Sequence, residues 1–206
     1  MGLIPRRAPR PQLPGEVVAA LDLPRGDRVL CFATDDNRGG HLVASTWALS
    51  YVSTAGDLEL RRPWHLVDAG SWQPETATLT VTWVDGRRPG QWTFRDQQTL
   101  LPETLRERVQ ASVVLSTRLV LGEGRTGRVA IRQDLATRAL VPQTVLARRV
   151  RADDPDVREQ VEAALAELRD QVGLPPPVTA AACRRVVRAP SVRHPGSRSA
   201  VAAQGG

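Results

Sequence analysis

Few residues in this sequence are of a type and spacing that could do chemistry. The stretch "GEGRTG", Gly122 to Gly127, matches the glycine pattern that cradles a dinucleotide pyrophosphate. That pattern works when a strand leads in and a helix leads out, so that the phosphates meet a helix N-terminus. Here a helical pattern precedes and the strand-like "RVAIRQ" follows, so the glycines read as a connector. Of the three histidines, His41, His65 and His194, none has a second histidine or cysteine at metal-ligand spacing. Cys31 and Cys183 suggest neither a disulfide framework nor a zinc site. All 28 basic side chains are arginine, which removes Schiff-base and P-loop lysines outright. A Ser-His-Asp triad needs no proximity in sequence, but no nucleophile-elbow pattern supports one. The sequence therefore predicts no catalytic residue, no cofactor and no metal. A hydrolase centred on His65 is the third-ranked reading.

Binding residues are easier to nominate. Trp47 and Tyr51 are candidates for exposed aromatics near a loop, and Arg61 and Arg62 beside Pro63 with Arg87 and Arg88 could form a small anion site. Thr78 and Thr80 belong to a row of threonines that should face water. The net charge of +6 lies at the ends. Residues 1–15 carry Arg6, Arg7 and Arg10 and no acid; residues 174–206 carry Arg184, Arg185, Arg188, Arg193 and Arg198 and no acid. Between them the acids outnumber the arginines, so polyanion affinity belongs to the termini and to the last segment above all.

The elements that must position these side chains are mostly strands. In "TATLTVTW", 76–83, Ala77, Leu79, Val81 and Trp83 alternate with threonines, the pattern of an antiparallel strand with one buried face. "QWTFRD", 91–96, repeats it and predicts a hairpin around Asp85-Gly86. Upstream, "DRVLCFAT" at 27–34 reads as a strand, "DDNRGG" at 35–40 as a turn, and "HLVASTWALSYVS" at 41–53 as two strands with a bend near Ser45 to Trp47. "LELRRPWHLVDAGSW" reads as a bent or broken strand.

After these strands the period changes. Leu105, Val109 and Val113 follow helical spacing, predicting within 101–121 an amphipathic helix of about four turns whose β-branched end is left open. A second β pair is expected at 128–133 and 138–150, with Pro142 demoting part of it to an edge. Asp154, Pro155, an apolar stripe from Val157 to Val172 and Gly173 write a capped helix. No apolar run approaches the roughly 20 residues that span a bilayer, and the start lacks a secretory h-region, so a cytoplasmic location is expected.

Antiparallel strands with one-sided patterning, followed by an amphipathic helix, give the order of a pleckstrin-homology-like (PH-like) domain. At "RRPWHLVDAGSW" and "TATLTVTW" the sequence resembles the uncharacterised PH-like proteins of actinobacteria. The resemblance implies an α+β fold: a barrel at 16–121 whose open end is closed by an amphipathic helix, then a β-hairpin plus helix extension at 128–173. A flexible basic arm at 1–15, the connector at 122–127 and a disordered basic tail at 174–206 complete the expected organisation. It also implies a binding role, for a peptide, a protein or a lipid headgroup. Lipid phosphate recognition in the family uses a basic loop between the first two strands, whereas "DDNRGG" has two acids and one arginine. The sequence thus predicts a non-enzymatic, adaptor-like protein-interaction domain. The alternative is a nucleic-acid-associated protein acting through its arginine-rich ends.

Overall fold

The computed structural model describes residues 12–122, 125–147 and 150–175. Within them the chain is α+β, with three α-helices and three antiparallel sheets. The first sheet runs β1 (Val29–Thr34), β2 (His41–Ser45), β3 (Ala48–Val52), β4 (Leu58–Pro63) in spatial order. The second is β5 (Val67–Gln73), β6 (Thr78–Trp83) and β7 (Gly90–Thr93), with β6 in the middle. The third is β8 (Val113–Val120), β9 (Thr126–Gln133) and β10 (Leu140–Leu146), with β9 in the middle. Helix α1 (Gly15–Leu21) precedes the strands, α2 (Leu101–Ala111) follows β7, and α3 (Pro155–Gln171) comes last.

The first two sheets and α2 share one core, in which Leu42, Leu49, Trp64, Val81, Phe94 and Leu101 are buried. No ladder joins the two sheets, so the described residues do not form the closed barrel expected from the sequence. Pro63 has no N–H to continue a ladder, and a single 3-10 turn, Trp64–Leu66, redirects the chain between β4 and β5. Trp64 pins that turn by donating its indole N–H to the Ser45 carbonyl at 3.0 Å. At the far side, the buried carboxylate of Asp35 accepts from the Thr93 amide at 3.1 Å, and the Asp36 amide donates to the Thr93 carbonyl at 2.9 Å. Two turn residues thus stand in for a strand pairing.

Strand β6 follows the expected alternation, with Leu79, Val81 and Trp83 buried. Ala77, expected to face the core, instead takes a left-handed φ of 49° after the 3-10 turn Pro74–Thr76, and the strand begins one residue later. Thr78, Thr80 and Thr82 are only half exposed, because Gln91 donates to Thr80 at 3.2 Å and the Thr82 hydroxyl to the Ala69 carbonyl at 3.3 Å.

The helix expected within 101–121 ends at Ala111, and 113–120 is strand β8. Val113, Val114, Thr117 and Val120 are β-branched and lose rotamer freedom in a helix, while β9 offers this segment a ladder, with one irregularity between Val113 and Leu115. The expected hairpin of 128–150 is therefore part of a three-stranded sheet, with Pro142 on its edge strand β10. Helix α3 covers this sheet, and Val129, Ile131, Val157 and Leu168 form a second core. Its N-cap is the expected one: the Asp154 carboxylate accepts from the Asp156 amide at 3.1 Å.

Arg132 on β9 links the two cores. Its side chain is buried, with the residue 2% exposed. The guanidinium donates to the carbonyls of Trp64 (2.8 Å) and Val67 (3.2 Å) and to the Ser112 hydroxyl (2.9 Å from Nε). It therefore ties the 3-10 turn, the end of α2 and the third sheet together.

Replacing Arg132 by Met should strand these acceptors and destabilise the protein by about 3 kcal/mol. Arg132→Lys should recover only part of that, since one ammonium cannot fork to all three groups. Urea denaturation measures both, and a loss below about 1 kcal/mol for Arg132→Met would refute the linking role. Asp154→Ala should be milder, about 1 kcal/mol by the same measurement.

Candidate functional site

Two depressions fall on or near the nominated residues. The first is an aromatic cleft of about 430 Å³ lined by Arg38, Tyr51, Trp83, Arg88 and Trp92. The Arg38 guanidinium lies 4.5 Å from the Tyr51 ring centre and 6.0 Å from that of Trp92, a cation-π arrangement. A Cβ on Gly90 would come within 2.2 Å of Trp92 Cη2, so glycine lets the indole lie over the strand. Of the two arginines that line the cleft, Arg38 is engaged and Arg88 makes no ion pair among the described residues. Arg38 pairs with buried Asp35 at 3.0 Å, while Arg62 (3.0 Å) and Arg87 (3.2 Å) both pair with Asp85 beside Trp83.

The structure thus brings four of the nominated residues together. Tyr51 and Arg88 line the cleft, and Arg62 and Arg87 meet at Asp85 on its border. Tyr51 is buried rather than exposed. Trp47 is half-buried against Gly26, with its amide donating to Asp27 at 3.1 Å. Arg61 donates to the Leu21 carbonyl and so ties β4 to α1. Thr78 and Thr80 on β6 do not line the cleft, although Thr80 accepts from Gln91, which does. Arg184, Arg185, Arg188, Arg193 and Arg198 lie outside the described residues. Sequence reasoning did not single out Arg38; the signal was Asp35 three residues before an arginine in a glycine-closed turn.

The second depression is a groove of about 540 Å³ between β5 and α2. Ala69, Gly70 and Trp72 of β5 and Pro102, Leu105 and Val109 of α2 supply its apolar lining, with Asp68, Glu103 and Arg106 among the charged side chains. Helix and strand approach closely because Gly70 has no side chain: a Cβ there would meet Leu105 Cδ2 at 2.4 Å. β5 is an edge strand, paired only with β6; beyond Val67, whose carbonyl accepts from Arg132, its outward side has no ladder partner among the described residues. Ala69, Gly70 and Ser71 are exposed. An open strand edge beside an apolar groove is the geometry that accepts an extended segment as an added strand.

His65 lines neither depression. Its Nδ1 is buried without a hydrogen-bond partner and lies 4.0 Å from Asp134 Oδ1. Burial lowers its pKa below the ordinary histidine value and outweighs the opposing pull of Asp134; Arg132 adds to the lowering. Burial likewise pushes the Cys31 thiol up, against its hydrogen bond to Thr104. Among the described residues no His, Cys, Asp and Glu side chains gather as a metal site, and no helix is long and apolar enough to cross a membrane.

Comparison with protein-family models, curated proteins and solved structures finds no match to this chain. The site is therefore read from its own geometry.

His65 gives a pH-dependent expectation. Because the folded state disfavours its proton, stability should fall as pH drops through the unfolded value of about 6.5 toward the lower folded one. Above that window His65 contributes no slope. Urea midpoints at neutral and mildly acidic pH should show a smaller acid loss for His65→Gln than for the wild type. An equal loss would assign the acid sensitivity elsewhere.

Proposed function

We propose that this chain is a cytoplasmic, non-enzymatic protein-interaction domain of the PH-like kind, which binds an extended segment of a partner protein along β5. The order of four strands, three strands and a helix, with one core shared among them, supports the PH-like reading. The observation that carries the binding role is the unpaired edge of β5 lying beside the apolar groove under α2. Main-chain bonds to the open edge would supply affinity, and the apolar floor around Trp72, Leu105 and Val109 would select side chains. The aromatic cleft serves this reading less well, because its walls are more polar than those of the β5 groove and Arg38 already has a counter-ion.

Peptide selection against the folded chain tests this. Enriched peptides should bind the wild type and protect the amides of residues 69–71 from hydrogen exchange. Ala69→Trp, placed on an exposed groove-lining residue, should weaken binding about tenfold or more without lowering the melting temperature. Peptides that bind Ala69→Trp and the wild type alike, or protect another strand, would refute the assignment.

A further inference from the structure

At Asp68 the β5 groove meets a second, shallower depression of about 340 Å³, to which Asp68 also belongs. That depression is lined by Arg118, Arg128 and Val145 of the third sheet. Arg118 on β8 and Arg128 on β9 are direct cross-strand partners. Like charges in that position repel, and a nearby carboxylate relieves the repulsion. Asp68 supplies one, accepting from the Arg128 guanidinium. Arg118 is exposed and makes no ion pair among the described residues. The depression therefore holds two guanidiniums and one carboxylate, and that carboxylate bonds Arg128. In the aromatic cleft, by comparison, Asp35 pairs with Arg38, and Glu59 lines the same walls as Arg88.

We infer that the segment bound along β5 carries an aspartate or glutamate side chain where it passes Asp68, and that Arg118, together with Arg128, receives it. This rests on the β5 groove being the binding site. The spacing follows from strand geometry. Trp72, on the apolar floor, lies four positions from Asp68 along β5, about 13 Å. A segment lying beside the strand would thus place its acid about four residues from a large apolar anchor. The carboxylate would complete the charge balance that Asp68 leaves half done, and the anchor would fill the space under α2.

Random peptides displayed by fusion through their C-termini carry no free terminal carboxylate and so test the side-chain acid directly. Selection on the wild type should enrich peptides with an acid about four residues from an apolar residue, and Arg118→Glu should shift the preference at that place to a basic residue. In solution, exchanging the selected acid for its amide should weaken wild-type binding about tenfold, the worth of one charge-assisted contact, and Arg118→Ala should abolish the difference. Asp68→Asn should widen it by releasing Arg128, whereas a purely structural Asp68–Arg128 pair would leave it unchanged or smaller. Enrichment without an acid, or an unaltered preference in Arg118→Glu, overturns this inference while leaving the groove in place. No enrichment, or enrichment unaffected by Ala69→Trp, overturns both.

Discussion

The buried guanidinium of Arg132 is the contact on which the rest of the arrangement depends. Taking a charge out of water is expensive, and no carboxylate is among its hydrogen-bond partners. Burial, with Arg128 nearby, pushes its pKa down to about 10, so it stays charged at neutral pH. Its compensation comes from main-chain carbonyls and one hydroxyl. The last carbonyls of a helix carry partial negative charge, and the Val109 carbonyl and Ser112 hydroxyl lie at the end of α2. The remaining acceptors are Trp64, in the turn that separates the first two sheets, and Val67, at the start of β5. One side chain from the third sheet thereby holds the helix end and the turn together, and both bear on the groove that β5 and α2 enclose.

The sequence disclosed those elements whose signals are local. The Thr-Leu-Thr-Val-Thr-Trp alternation of β6 and the Asp154-Pro155 start of α3 are written within a few residues, and both stand in the structure. So does the break between β2 and β3 near Ser45. The end of α2 was not legible, because Leu105, Val109 and Val113 continue the helical period while ladder bonds to β9 favour a strand. Nor was Arg132 marked as special. In "RVAIRQ" it falls where an alternating pattern expects a solvated side chain, and the acceptors that permit its burial lie up to 68 residues away.

The site was legible in part for the same reason. Aromatic and arginine side chains announce themselves, so Tyr51, Arg62, Arg87 and Arg88 were nominated, and they do gather around one cleft. The β5 groove is made of small residues and exposed backbone. Ala69 and Gly70 matter there for what they leave open, and an unpaired strand edge has no side-chain signature. Charge accounting adds to this: Arg38, Arg62 and Arg87 are held by carboxylates, while Arg118 near the open edge makes no ion pair among the described residues.

Arg132 also orders events during synthesis. Trp64 leaves the ribosome well before the arginine that will bond its carbonyl, and closing so long a loop delays that contact further. Until then, the nascent turn and helix end keep their carbonyls in water. The late arrival of one cation first offers those carbonyls a partner other than water.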